Sequence, residues 1–418
     1  TAVAFQLLSW YKVNVIRRWT FRCYPTLAQE VTLARTFGSC RYVYNWGLQL
    51  RTTAFKDGKR INPTQADAAL TLLKREPDKA WLNEVSSVPL QQALRHLQAG
   101  FTSFFEKRTK YPTFKRKGKG KDAASYTRSA FAFNCNDHRL VLAKMDGEPV
   151  KIAWSRRLPA EPSSVTVSRH PSGRYYVSFV VDVPVPAVPK TGASVGIDFG
   201  ISRLATLSTG VRVPNPKHGA RLQRRLALAQ RRLARKVRIV DPKTGKKRDS
   251  NRRAKQKRIV ARIHERIGDA RKDTLHKFTT GVVKQFDTIY IEDLNLRGMV
   301  KNHSLARSLH DAGIGMGIRM LEEKAASAGK TVVKIDRWFP SSKMCSTCGH
   351  LLEDLPLSIR AWTCPACQAH HDRDDNAALN ILAVGQTVAV HGEGIRASRT
   401  SVREASLRRS ANHLGSSP

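Results

Sequence analysis

Four cysteines constrain this chain more than any other feature. Cys345-Ser-Thr-Cys348 is followed, after fifteen residues, by Cys364-Pro-Ala-Cys367, and each knuckle presents two thiolates on a tight turn. The spacing is that of a zinc ribbon, where a tetrahedral sulfur set holds one Zn²⁺ and stabilises a unit too small to fold alone. With Cys345, Cys348, Cys364 and Cys367 all filling coordination positions, none stays open for substrate, so the expected ion is structural. A redox role is the weaker reading, because one redox pair has no use for a second at ribbon spacing. Cys23, Cys40 and Cys135 stand singly and read as small buried hydrophobes in a reducing compartment.

The ribbon sits in a chain of 418 residues, enough for two to four structural units. Lys and Arg number 73 against 33 Asp and Glu, a formal net charge of +40, while 41% hydrophobic residues exclude wholesale disorder. So large a one-sign excess calls for a polyanionic partner, nucleic acid above all. No apolar run is long enough to span a bilayer. The opening TAVAFQLLSWYKVNVIRR carries its charges after its apolar part, the wrong order for a secretory signal. The expectation is a cytoplasmic, nucleoid-associated protein with no membrane partner.

Residues 26–110 read as helical: Leu90, Leu94, Leu97, Phe101 and Phe104 recur at the period of one helix face. An earlier helix carries Tyr42, Tyr44 and Trp46 among arginines, either base-stacking aromatics or the core of a helical bundle. The run KRTKYPTFKRKGKGKD, with Lys115, Arg116 and Lys117, reads as a phosphate-contacting loop. From about 130 to 185 the pattern alternates in period two on both sides of a Pro-Ser-Gly turn, a hairpin signal. With VIRRWTFRCYP it would form a small β-barrel into which the helices are inserted, and PVPAVPKTG reads as a linker. Residues 218–286 are the most basic stretch, with helix seams at Leu222, Leu226, Ala229, Leu233 and Val237 and at Ile259, Ile263 and Ile267. Arg224, Arg225, Arg231, Arg232, Arg235 and Lys236 lie there. Charges so uniformly positive repel one another unless a polyanion lies along them. The tail from 387 to 418 lacks periodicity and is expected to be disordered. No repeat of twenty to fifty residues stands out.

Three acids remain. Val195 and Ile197 lead an apolar strand pattern into Asp198, and LATLSTG reads as the next strand of a hairpin. Ile289 and Ile291 alternate around Tyr290 and end in Glu292 and Asp293, while HHDRDDNAALNIL places Asp372, Asp374 and Asp375 before a helical stretch. A carboxylate inside a buried strand is costly unless it is paired or holds a metal. The last cluster, taken alone, reads as negative charge at a helix N-terminus. Together, acids from three separated segments are what two Mg²⁺ ions need as hard oxygen ligands, and two metals clamping a phosphodiester serve in-line hydrolysis. Helical periodicity does not choose between Asp374 and Asp375. Asn376 reads equally as a neighbouring hydrogen-bonding group or a helix cap.

The segments VGIDFGISRLATL, IYIEDLNLRGM, FPSSKMCSTCGH, WTCPAC and HDRDDNAALNIL, in that order, resemble the RuvC motifs and interleaved zinc ribbon of the transposon-encoded TnpB nucleases, relatives of type V CRISPR effectors and of Fanzor proteins. YPTLAQEVTLARTFGSCRYVYNWGL is similar to the opening of that family, so the resemblance covers residues 15–385. It implies an α+β multidomain chain with an RNase H-like RuvC domain, and catalytic, Mg²⁺-binding acids Asp198, Glu292 and Asp374. The family pattern D-R-D-x-N-A-A chooses Asp374. The implied domains are a wedge barrel from 1–25 and 126–190, a recognition insertion at 26–125, RuvC at 191–340 including the basic helices, the zinc ribbon at 341–370 and a final RuvC helix at 371–386. Its implied partners are a guide RNA, from the transposon end or a CRISPR RNA, and double-stranded target DNA beside a short adjacent motif, in a monomeric ribonucleoprotein. Runner-up readings are an RNA-guided regulator that has lost cleavage, disfavoured by the retained acids, and a transposase or resolvase, disfavoured because no helix-turn-helix signal is seen.

Overall fold

The computed structural model describes residues 14–118, 120–184, 188–240, 242, 245 and 247–391. Of the tail expected to be disordered from 387, residues 387–391 instead continue the last helix, which runs to His391, and the rest lies outside the described residues, as do parts of the linker and of the DPKTGKK turn. Contacts divide the chain into two compact units, Thr1–Pro184 with Ala229–Arg262, and Val185–Leu228 with Ile263–Pro418.

In the first unit, β1 (Asn14–Tyr24) leads into α1 (Leu27–Lys56), α2 (Pro63–Leu73) and α3 (Ser87–Phe105). Thr26 and Gln29 start α1 with a reciprocal cap: Gln29 N–H donates to Thr26 Oγ1 at 3.3 Å and Thr26 N–H to Gln29 Oε1 at 3.1 Å. Asn62 and Gln65 repeat the device at α2. The expected face of α3 is buried at Leu90, Leu94, Leu97 and Phe101. The chain then forms β2 (Asp122–Thr127), β3 (Phe131–Asn134), β4 (Arg139–Leu142), β5 (Lys151–Ala153), β6 (Pro162–Arg169) and β7 (Tyr175–Pro184). β6 and β7 are the expected hairpin, turning where Gly173 takes φ +80°. Tyr175, Val177, Phe179 and Val181 alternate into the core. The antiparallel sheet runs β2-β6-β7-β1-β5, with no β2–β5 pairing among the described residues, and β3–β4 pair separately.

In the second unit, β8 (Ser194–Phe199), β9 (Arg203–Leu207) and β10 (Arg212–Pro214) form an antiparallel meander. Then come α4 (His218–Ala234), a small hairpin of β11 (Arg238–Val240) and β12 (Lys247–Asp249), and α5 (Asn251–Gln285). The division into units falls within α4 and α5. Arg253 closes α4 by donating to the carbonyls of Leu233 and Lys236, both at 2.8 Å. Val237 therefore lies past the helix and is 73% exposed, so the seam read from the sequence stops at Leu233. After this long crossover β13 (Thr288–Glu292) pairs parallel with β8, as a parallel connection requires. The helices α6 (Leu296–Met299), α7 (His303–Ala312) and α8 (Ile314–Ser327) lead to β14 (Thr331–Ile335), parallel to β13. The sheet order is β10-β9-β8-β13-β14. A ribbon carrying β15 (Ala361–Thr363) and β16 (His370–Asp372) precedes α9 (Arg373–His391). Among the described residues, no helix is long and apolar enough to cross a membrane.

Candidate active site and metal centre

Strand register places the first two acids. Ile197 of β8 faces Ile291 of β13, so Asp198 and Glu292 are the next pair along two neighbouring parallel strands. Side chains alternate, so these carboxylates leave the face opposite the buried Ile197 and Ile291 and share one with Gly196 and Tyr290. Helix α9 covers that face at backbone distance. A Cβ on Gly196 would collide with the Ala378 carbonyl and stand 2.6 Å from the Leu382 nitrogen, and one on Gly385 would strike the Tyr290 ring. Asp198 lies two strand residues beyond Gly196, and Asp374 lies one helical turn before Ala378. The glycine contact thus sets the helix N-terminus beside the strand ends.

The electrostatics follow. Burial, then the charges of Glu292 and Asp374, push the Asp198 carboxyl up to about 8, against weaker opposition from Arg373 and Arg360. Burial also raises Glu292, while the Ser341 hydroxyl, donating to Glu292 Oε1, acts in the opposite direction. A buried Asp198 carboxylate that feels the charges of both Glu292 and Asp374 makes a locus that favours multivalent cations.

The neighbouring acids have other partners. Asp372 caps α9, accepting from the N–H groups of Asp374 at 3.0 Å and Asp375 at 3.3 Å, and Arg203 grips both its oxygens at 3.0 Å. Burial would raise the Asp372 carboxyl, yet Arg203 and these amides bring it below its ordinary value. Asp375 faces Arg212, whose Nε donates to both carboxylate oxygens at 3.1 Å. Asp374, the member whose charge reaches Asp198, is approached by Arg360 at 3.3 Å and Arg203 at 3.6 Å.

The four cysteine sulfurs lie within 4.8 Å of one another. Cys345 and Cys367 are 3.7 Å apart and Cys348 and Cys364 3.6 Å. Ligands held tetrahedrally at about 2.3 Å from Zn²⁺ stand about 3.8 Å from each other, so the set fits one such ion. Trp362 covers the cluster from β15, and His371 Nε2 lies 3.0 Å from Cys345 Sγ. Asn376 is 1% exposed and is neither a cap nor a partner of the acids. It accepts from Ser346 N–H at 2.9 Å and donates to the Met344 carbonyl at 2.7 Å. One turn on, Asn380 donates to the carbonyls of Ser341 at 2.8 Å and Met344 at 2.7 Å. Two amides therefore tie the first cysteine knuckle to α9, and Ser341 connects that tie to Glu292. Ser341, Asn380, Arg203 and Arg360 escaped the sequence reading. Only the Asn-Ala-Ala-Leu-Asn spacing, two amides on one helix face, signals any of them.

The candidate nucleic-acid residues divide. Arg224, Arg225, Arg231, Arg232 and Arg235 are exposed along or just beyond α4, whereas Lys236 is half-buried. Arg116 and Lys117 are exposed on the loop after α3, whereas the Lys115 ammonium turns onto the Tyr44 ring and burial lowers its pKa, so it is not a free cation on that loop. Asn45 of α1 holds that loop, donating to the Lys115 carbonyl at 2.9 Å and accepting from its N–H at 2.7 Å. The aromatics belong instead to the packing of the first unit. Tyr44 is buried with the Lys115 ammonium 3.9 Å from its ring centroid, so of its two readings the core of the bundle holds and the base-stacking one does not. Tyr42 stands edge-on to Trp81, and Trp46 packs half-buried on the same core.

Three family models match the chain: one of the OrfB type of IS605, described as "Probable transposase", over residues 178–303; "Cas12f1-like, TNB domain" over 315–381; and "Helix-turn-helix domain" over 15–60. The last range is occupied here by strand β1 and the single helix α1. A Streptomyces pristinaespiralis protein named "Putative RNA-guided DNA endonuclease" is 49% identical, over 93% of this chain and 94% of its own. "Putative RNA-guided DNA endonuclease InsQ" of Escherichia coli (strain K12) is 31% identical over 93% and 97%. Among solved structures, a Cas12f1 chain from "Cryo-EM structure of the Cas12f1-sgRNA-target DNA complex" superposes with a TM-score of 0.52 at 12% identity, over 88% of this chain and 98% of that one. That likeness supports a compact RuvC-type fold. With nearly the whole length of both chains aligned at 49% identity, this chain belongs to the TnpB family.

Proposed function

We propose that this protein is an RNA-guided DNA endonuclease: it takes a guide RNA from a transposon end, opens duplex DNA beside a short adjacent motif, and hydrolyses the phosphodiester backbone. The observation that carries the hydrolytic part is the register that makes Asp198 and Glu292 the next pair on neighbouring parallel strands, with α9 packed against that face so that the charge of Asp374 reaches the buried Asp198. Evolved structures rarely gather three acids on a desolvated strand end without a cation to balance them.

Asp198, Glu292 and Asp374 would hold two Mg²⁺ ions, which when bound supply Lewis-acid stabilisation of the phosphoryl oxygens and an activated water. Glu292 is oriented by Ser341, and Asp374 by its place in the first turn of α9, which Asp372 caps. The four-cysteine cluster would hold a structural Zn²⁺ that keeps Ser341 and the start of α9 in register. The first unit's sheet and helices fit the wedge and recognition roles, and the exposed arginines of α4 fit a guide–target heteroduplex read by backbone and shape.

The test begins with RNA. The protein expressed beside its native flanking DNA should co-purify with one dominant RNA of fixed scaffold and variable end, and that complex should cut matched duplex DNA only with Mg²⁺. Heterogeneous RNA removable by salt, with no matched cleavage, would overturn the reading.

A further inference from the structure

We propose that Trp338 is a base-stacking platform for the single DNA strand that enters the carboxylate site; this rests on the nuclease reading above. Trp338 is 85% exposed, more than any other large apolar side chain among the described residues. One exposed hydrophobe needs no explanation by itself. Its placement does.

The indole sits on a fixed support. Trp338 N–H donates to Asp336 Oδ1 at 2.6 Å, and Phe339 N–H to the Asp336 carbonyl at 3.3 Å. Arg337 donates to the Asp293 carbonyl at 3.1 Å and pairs with the Asp293 carboxylate. Phe339 turns inward onto the cluster of Tyr290, Ile335 and Met344, and Pro340 fixes the next backbone angle. The loop therefore half-buries one aromatic ring and presents its neighbour to solvent.

That loop begins and ends beside Glu292. Ile335, three residues before Trp338, is the register partner of Glu292, and Ser341, three residues after it, donates to the Glu292 carboxylate. Three residues span no more than about 11 Å. Trp338 thus heads a short arch whose two feet both rest on Glu292. Because Arg337 is engaged by Asp293, the arch offers the strand a ring face more than a free charge. An indole accepts any base by stacking, which suits a site where pairing with the guide carries the sequence information. The ligand is a nucleobase of single-stranded DNA next to the phosphate being cut.

The test uses the guide-loaded full chain and a guide-matched single-stranded DNA oligonucleotide. Trp338→Ala should raise the oligonucleotide concentration for half-maximal cleavage roughly tenfold, the scale of one lost stack, while Trp338→Phe stays within about twofold. An abasic nucleotide scanned through the oligonucleotide should reveal one position that weakens the parent protein similarly and has no added effect in Trp338→Ala. Unchanged zinc content and guide affinity establish that the variants are folded. If Trp338→Ala does not fold, the abasic scan on the parent and Trp338→Phe decides, and a parent with no sensitive position overturns the proposal. An unchanged half-saturation in Trp338→Ala, with Glu292→Gln inactive, overturns the stacking role alone. Full cleavage by Glu292→Gln would instead overturn the nuclease site on which it rests.

Discussion

Ser341 donates its hydroxyl to Glu292 Oε1 while its carbonyl accepts from Asn380 Nδ2 at 2.8 Å, so one residue joins the strand acid to the helix that carries Asp374. Ser341→Ala should keep guide and DNA binding but need several-fold more Mg²⁺ for half-maximal cleavage, with Ser341→Thr recovering most of it. Asn380→Ala, which strips a buried donor from two carbonyls, should cost about 1–3 kcal/mol of stability. Magnesium titration of cleavage and chemical denaturation check the two. A Mg²⁺ requirement unmoved in Ser341→Ala would sink the link.

The acids of α9 should separate cleanly. Asp374→Asn is expected to lower cleavage at least a thousandfold, about 4 kcal/mol of barrier, because its charge is the one that reaches Asp198. Asp375→Asn breaks the pair with Arg212 and should leave cutting within a few-fold. Equal losses in single-turnover assays would show that the whole cluster acts as one.

Stability should depend on pH in a defined direction. The Asp198 carboxyl lies near 8 in the folded chain against an unperturbed 3.8, so between those values the native state binds more protons than the unfolded one. Unfolding free energy contributed by this group is fully present below about 4 and is lost as pH rises toward 8. Thermal melts of the Mg²⁺-free protein should therefore fall from pH 5 to 8, with added Mg²⁺ restoring most at the alkaline end. In Asp198→Asn both trends should flatten; a variant that kept them would assign the dependence to another group.

Zinc should count one per chain by elemental analysis. Cys345→Ser or Cys364→Ser should lose it and unfold the ribbon, and cleavage should fall with it because Asn376 and Asn380 no longer have a fixed knuckle to hold. A ribbon that retained its zinc after either change would contradict the four-sulfur assignment.

Replacing Arg224, Arg225, Arg231 and Arg232 with Gln should weaken nucleic-acid binding and reduce the slope of log K against log salt by up to about three, if each exposed guanidinium meets a phosphate. A slope that does not move would make these charges merely solvated.

How much of this was legible beforehand varied with the range of the interaction concerned. The alternation Val195-Gly-Ile197-Asp198 and Ile289-Tyr-Ile291-Glu292 is local, and the strands lie where it placed them. Cysteine spacing is likewise local, and the sulfurs cluster as expected. Asp374 and Asp375 differ in their surroundings, Arg360, Arg203 and the field of Asp198 for one and Arg212 for the other, and no periodicity along α9 encodes that. Tyr44 keeps two readings in the sequence for the same reason: an aromatic among arginines looks alike whether its ring faces solvent or, as here, the core of the first unit. Ser341 was invisible because a serine before a cysteine knuckle has no pattern of its own until Glu292 is folded beneath it.

The missing side chain at Gly196 sets an order of events in the making of the protein. Its backbone can meet α9 only when residues 374–385, nearly two hundred positions later in the chain, have left the ribosome. Until then Asp198 and Glu292 stand without their third partner. A nascent or prematurely ended chain that stops before α9 can thus carry every residue of the first unit while the three carboxylates are still apart.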